Sequence, residues 1–336
     1  MPAAFEDVQV GKRQSLADLI ANIEAQATPY TSMAQKRERP KQKLHQWQAK
    51  AYPVTGHKGV PDMQDAQNFQ SNARGLIQCV AQKTWYLPGV SDFAEESEVA
   101  GIKKGEMAEQ VADALVSVKR QIEKRCLSSS DTQQEGNGNA ANETRGTFSW
   151  HSATAQTNFP VPAPFLTPAA SVFSGAALST FNEQVFLAQC ASSYKQRKGP
   201  FKMDGFVGVD LKQYITAFSK YDDTVNNKTV VRRFNQNADD KQLINVIDRL
   251  VMDTGEIDLH LSSFLLTDAT AGTDTTGTHI SGTFQDMDMC GLAYTRMPRV
   301  VQLPYKGGGY TAIVDAIFLH MVDNPLGGII VNPTGP

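Results

Sequence analysis

The side chains capable of acid–base, nucleophilic or metal chemistry are dispersed along this sequence, and none stands in the pattern such chemistry needs. His45, His57, His151, His260, His279 and His320 never recur at i, i+4 and form no HExxH. His260 falls on the polar side of an alternating stretch, where a solvated imidazole is expected rather than a ligand. Cys79, Cys126, Cys190 and Cys290 lie 47, 64 and 100 residues apart, with no CxxC and no histidine at ligand spacing. A zinc site needs such clustering. These thiols read instead as reduced, partly buried small hydrophobes of a protein made in a cytosol. Lys306-Gly307-Gly308-Gly309 has the composition of a phosphate loop but lacks the GxxxxGK[ST] spacing and precedes a strand, so it reads as a turn. There is no GxSxG, and no GxGxxG opens a helix. Asp222-Asp223 and Asp239-Asp240 are adjacent pairs whose carboxylates diverge, the mark of surface loops rather than an acid–base pair. No catalytic residue, metal or cofactor is expected. An uncharacterised soluble enzyme is kept as the alternative of another class.

One electrostatic feature stands apart. Lys36, Arg37, Arg39, Lys41, Lys43 and Lys50 fall within residues 36–50 against Glu38 alone, in a chain whose formal charge is −3. A solvated basic arm and a contact with phosphate backbones are both open readings of this patch. Trp47 stands beside it, without the aromatic interleaving that base stacking uses.

The elements that must position these residues change character several times along the 336 residues. That length is enough for two domains, or for one core with large excursions. Hydrophobic residues at 41% and charged ones at 20% are the balance of a globular chain. No apolar run reaches the ~20 residues of a bilayer crossing, because the best candidate, Tyr310 to Val322, carries Asp315 and His320. Met1 to Val10 contains Glu6 and Asp7 and no apolar h-region, so no secretory signal is expected.

Leu16, Leu19, Ile20 and Ile23 predict a short amphipathic helix over 15–23, with Ser15 as its cap, and Pro29 stops it. Residues 51–75 are polar and rich in Gly and Pro, a loop long enough to need a function or a partner. Leu76 to Val80 and Thr84 to Leu87 read as two strands of an outward-reaching hairpin. The strongest helix is predicted over 105–127, where Met107, Val111, Leu115, Val118, Ile122 and Cys126 form one stripe. Glu106 and Glu109 lie at its positive end, with Lys119, Arg120, Lys124 and Arg125 at its negative end. Residues 128–142 read as an exposed low-complexity loop, and the prolines between 158 and 168 as an extended linker. Thr180 and Glu183 have capping-box spacing for a helix to Tyr194, with Phe181, Val185, Leu187 and Ala188 as its apolar face. A short strand over 206–209 and a helix over 211–220 follow. Ile257, Leu259 and Leu261 alternate with polar residues after an Asp253-Thr254-Gly255 turn, and the hairpin's first strand runs from Ile244 to Met252. Residues 267–282 read as a loop. Residues 310–322 read as a long strand with both faces partly covered, and Ile329 to Val331 return after a turn at 323–325. The fold class is α+β.

This order of pieces resembles the HK97-fold major capsid proteins of tailed bacteriophages, in particular the SU10-like major head protein family. The resemblance rests first on Leu16-Ala17-Asp18-Leu19-Ile20-Ala21-Asn22-Ile23 and Thr28-Pro29-Tyr30-Thr31-Ser32-Met33. It continues in His45-Gln46-Trp47-Gln48, in the helix end at 119–127, and in the hairpin 246–261. Leu292-Ala293-Tyr294-Thr295-Arg296 and Asn324-Pro325-Leu326-Gly327-Gly328-Ile329 complete it. The chain departs from the family at Thr254, where an aromatic usually precedes the glycine, and in a longer, Pro-richer 128–178.

The resemblance implies an HK97-like capsid fold with an N-arm (1–47), an E-loop (48–92), and a P-domain with spine helix and central insertion (93–178). An A-domain (179–285) and the C-terminal strands of the P-domain (286–336) follow. It implies hexamers and pentamers of one chain closing an icosahedral shell around double-stranded DNA. An encapsulin-like nanocompartment of the same fold is the alternative. Portal protein and scaffolding or cementing proteins would be partners, packaged DNA a non-specific electrostatic one, and a membrane none. The location would be the virion head, after synthesis in the host bacterial cytoplasm. The chain opens directly on the arm, so scaffolding is expected from a separate protein or not at all. Lys36, Arg37, Arg39, Lys41, Lys43 and Lys50 would face DNA in the lumen. The arm 1–47 is expected to add little to the folded core, because it has one short amphipathic stretch, a proline and a basic run.

Overall fold

The computed structural model describes residues 28–50, 59, 62–63, 72, 74–97, 105–128, 135–137, 140–218, 220–223, 228–232, 247–265, 279–305 and 307–334. The predicted helix at 15–23, most of the polar stretch 51–75, Asp239-Asp240, Ile244 to Val246 and most of the loop 267–282 lie outside them.

The first elements along the chain are α1 (Pro29–Met33), β1 (Gln35–Lys36), β2 (Leu44–Lys50), β3 (Arg74–Val80), β4 (Gln82–Tyr86), β5 (Gly89–Ser91) and α2 (Asp92–Glu96). Next come α3 (Glu106–Cys126), α4 (Thr147–Trp150), β6 (Val172–Ser174), α5 (Glu183–Arg197), β7 (Phe201–Val207), α6 (Val209–Ala217), β8 (Lys220–Asp223) and β9 (Lys228–Arg232). The last are β10 (Arg249–Met252), β11 (Gly255–Leu261), β12 (Gly282–Gln285), β13 (Cys290–Gln302), β14 (Gly309–Val322) and β15 (Ile329–Asn332). The chain divides into two compact units. Among the described residues, one holds those of Trp85–Val118 and Pro298–Asp315, and the other those of Thr28–Thr84, Lys119–Met297 and Ala316–Pro336.

In the larger unit a six-stranded mixed sheet runs in the order β10-β11-β7-β12-β15-β6. Its apolar face is closed by α5 and α6: Phe186, Cys190, Leu211 and Ile215 pack with Met203, Val207, Ile257, Phe284, Ile329 and Val331. Each of these is nearly or wholly withdrawn from water, and burying such side chains stabilises by about 1.5–3 kcal/mol apiece before the ordering cost. A second sheet follows the path β1-β13-β14-β4, with β5 also paired to β14. β2 and β3 pair antiparallel, Leu44 opposite Val80 through Lys50 opposite Arg74.

Several expectations change here. Leu76 to Val80 does not form a hairpin with Thr84 to Leu87, because β3 pairs with β2 and β4 with β14. The reason is length: Ala81 alone separates β3 from β4, and a tight hairpin turn needs two residues. Ile329 to Val331 does not run back along β14 but crosses to the six-stranded sheet, between β12 and β6. Asp222-Asp223 belongs to β8, paired with β9, and not to a loop. The α5 cap is Asn182, whose side chain accepts from the Val185 N–H, so Glu183 becomes the first helical residue and there is no Thr180 capping box. Its buried side is Phe186, Gln189, Cys190 and Ser193, while Leu187 is exposed. In α3 the stripe is buried at Val118, Ile122 and Cys126, with Ala114 rather than Leu115 as the fully covered position one turn earlier. The proline segment is not wholly extended: Ala163–Phe165 and Ala169–Ser171 are 3₁₀ turns, with Val161 and Phe165 buried.

Candidate functional site

The basic run is positioned by what precedes it. Thr28 supplies no side-chain cap to α1. The cap comes instead from Glu123 on α3, whose Oε1 and Oε2 accept the Tyr30 and Thr31 amide N–H groups, each at 2.8 Å. This satisfies two of the unpaired donors of a helix start. Burial pushes the Glu123 carboxyl up despite those two bonds. Tyr30 itself is fully buried, and its ring meets Phe206 edge-on.

The Tyr30 hydroxyl lies 2.5 Å from His320 Nε2, and His320 Nδ1 lies 2.7 Å from the Arg145 carbonyl. A carbonyl can only accept, so Nδ1 carries the proton and Nε2 accepts from tyrosine. Burial pulls His320 down to about 4, so the ring is neutral in ordinary buffers. Further along, Arg37 Nη2 donates to Asp323 Oδ2 at 2.6 Å and to the Asp288 carbonyl at 2.9 Å. Trp47 Nε1 donates to the Asp323 carbonyl at 3.1 Å, and its ring lies against Trp150. β1 pairs in parallel with the start of β13.

These contacts overturn the expectation that residues up to 47 add little to the folded core: Thr28 to Trp47 is held by a buried tyrosine, a buried carboxylate and a tryptophan. Sequence reasoning missed this because Tyr30 and His320 are 290 residues apart, and nothing local to Tyr30 marks it as the partner of a histidine in a distant apolar strand.

The structure separates the six basic residues. Arg37 is engaged with Asp323, and Lys43 with Glu135 at 2.6 Å. Lys50, at the end of β2, is exposed and also engaged. Lys36, Arg39 and Lys41 are exposed and have no ion pair with another described residue. The remaining chemistry-bearing groups are structural. All four cysteines are free and buried. Burial raises Cys79 to about 11 and Cys190 to about 12, which keeps them from acting as thiolates. His260 is half-buried, with Nε2 3.0 Å from Asp204, rather than freely solvated. The glycine run is a turn, with Gly307 and Gly308 at φ +82° and +92°. Among the described residues no cluster of His, Cys, Asp or Glu could hold a metal, and no helix is long and apolar enough to cross a membrane.

The smaller unit carries the most exposed aromatic surface. Gly309, Tyr310 and Thr311 of β14 pair with Ser91, Val90 and Gly89 of β5. Ser91 caps α2 by accepting from the Ala94 N–H. The Tyr305 hydroxyl donates to Asp92 at 2.5 Å, and the Tyr305 and Tyr310 rings are 5.7 Å apart. Next to Asp92, Phe93 is 88% exposed, while Tyr305 and Tyr310 are 56% and 50% exposed. An arrangement of exposed aromatics on a braced backbone is suited to contact with another macromolecule, not to catalysis.

Comparison with known structures identifies the fold. The capsid protein of cyanophage P-SCSP1u superposes with a TM-score of 0.59 at 10% identity, over 96% of this chain and 93% of that one. The capsid protein of an empty GTA particle gives 0.58 at 10% identity, covering 97% and 96%. A Gordonia phage Cozz structure gives 0.54 at 13% identity, covering 99% of each. The protein therefore has the HK97-like fold of phage capsid proteins. The SU10 major capsid protein family matches residues 4–314, and the chain belongs to that family. It is a phage major capsid protein, a structural component of the virion and not an enzyme. No curated protein matches it.

Proposed function

We propose that copies of this chain assemble as hexamers and pentamers into an icosahedral head enclosing double-stranded DNA. The family match across residues 4–314 is the observation that carries this reading. On it, residues 1–47 are the arm, 48–92 the E-loop, 93–178 and 286–336 the P-domain, and 179–285 the A-domain. Synthesis would take place in the host bacterial cytoplasm, with a portal protein at one vertex and scaffolding or cementing proteins as further partners. The physical logic is that of a shell: exposed aromatics and charged runs on single subunits are covered when copies abut. The exposed cations Lys36, Arg39 and Lys41 have two uses in such a head. They would contact enclosed phosphates or a neighbouring subunit.

Negative-stain microscopy of the purified full-length chain tests the reading. Uniform hollow shells, or rings of five and six subunits, are the expected result. A monodisperse monomer at every salt and protein concentration would count against it.

A further inference from the structure

We propose that the aromatic face around Phe93, Tyr305 and Tyr310 is a docking surface for a second copy of this chain, which meets it with the exposed cations Lys36, Arg39 and Lys41. The proposal rests on the shell reading and names one of its contacts.

The face is exposed, and its Tyr305 and Tyr310 rings are braced. Phe93 is 88% exposed, the highest value for an aromatic among the described residues. It follows Asp92, which is tied to Tyr305, and Tyr305 is packed on Tyr310. The Gly308 N–H donates to the Tyr305 hydroxyl at 3.2 Å, so the glycine turn fixes that ring's position. The backbone beneath it is paired: the Ala312 N–H donates to the Pro88 carbonyl, and the Leu303 N–H to the Thr311 carbonyl. Side chains held in place before contact lose little freedom on binding, which is what an anchor needs.

Charge selects the occupant. Residues 85–118 and 298–315 contain eight carboxylates and four cations, more negative than the whole chain's −3. Glu95 accepts the Met107 N–H at 2.8 Å, which sets α2 beside the first turn of α3, where Glu106 and Glu109 stand. Asp92 and Glu95 are already used within the unit. Glu96 and Glu109 have no partner among the described residues. This excess of carboxylates disfavours nucleic acid and favours a cationic partner. The chain carries that partner in its own basic run, which already pairs with carboxylates at Arg37–Asp323 and Lys43–Glu135 and leaves Lys36, Arg39 and Lys41 over.

The test uses the full-length chain, with assembly followed by sedimentation velocity and microscopy at low and high salt. Lys36→Glu with Arg39→Glu and Lys41→Glu, and separately Glu96→Lys with Glu109→Lys, should each lower the assembled fraction about tenfold. Combining the two sets should restore assembly. Phe93→Ala should also impair assembly while leaving the thermal transition of the unassembled subunit unchanged. Zero-length carbodiimide coupling of wild-type shells built from isotopically mixed subunits should join Lys36 or Lys41 of one copy to Glu96 or Glu109 of another. That measurement holds even if a variant fails to fold, and absence of the cross-link overturns the proposal. Normal shells from the basic-run variant with reduced DNA content would also overturn it, because the cations would then face phosphates. A wild-type chain that forms neither shells nor rings would sink the shell reading itself. Shells from wild type and every variant alike would remove only this contact.

Discussion

Tyr30, Glu123 and His320 are the residues on which the arm's attachment turns. The neutral His320 accepts from the Tyr30 hydroxyl, and protonating it would replace that acceptor with a second donor in a fully buried site. Its folded value of about 4 lies below the ordinary 6.5, so between those values the unfolded chain binds more protons than the folded one. Stability from this residue is therefore full above pH 6.5 and lost as pH falls towards 4. The expected loss is about 3 kcal/mol. His151, also lowered by burial, acts in the same direction, while Glu123, raised by burial, opposes it. Comparing denaturant unfolding of wild type and His320→Gln across this range isolates the His320 share. Equal slopes of stability with pH would show that His320 does not titrate in this way. Glu123→Gln leaves one α1 amide facing an N–H₂ group, and should cost about 1–3 kcal/mol in the same assay.

At the scale of elements, α3 shows how one amphipathic stripe can have two environments. Ile122 is buried, whereas Leu115, two stripe positions before it, is only partly covered. Ile122→Ala should cost about 2–5 kcal/mol, and Leu115→Ala distinctly less. Ile122→Asp should yield insoluble or unassembled protein, because its charge would be buried without a partner. If Leu115→Ala proved the costlier in chemical denaturation, the buried side of the helix would be misplaced. The cationic end of α3 is also divided. Arg125 is buried and donates to the Thr144 carbonyl at 2.8 Å, so it packs the element in place beyond any interaction with the helix dipole.

For the molecule as a whole, the consequence is that the arm and the fold are not separable at Trp47. Deleting residues 1–47 removes Tyr30, the two amides that satisfy Glu123, the Arg37 partner of Asp323, and Trp47 from its place against Trp150. A carboxylate and an imidazole would then be left in a site built to exclude water, which is costly. The truncated chain is expected to lose its cooperative thermal transition, and with it any assembly. A truncated subunit that melted like the full-length chain in differential scanning calorimetry would contradict this.

Elements with a strong local period are legible in the amino-acid order alone. The α3 stripe, the alternation of β11, the apolar length of β14 and the Asp253-Thr254 turn all follow from residue spacing, because neighbours along the chain decide them. The lack of any clustered catalytic or metal-binding motif is equally a property of the sequence, and the capsid family is legible through short motifs. Pairing is not, since β3 has β2 as its partner and β15 joins the sheet of β12. Nothing local in an apolar strand says which distant strand will satisfy its amides. The same holds for the candidate contacts. Which of the basic residues are spent on Asp323 and Glu135, that Tyr30 is interior, and that Phe93 is left in water are decided by residues far away along the chain. Only folding brings such residues within hydrogen-bonding reach, or keeps them apart.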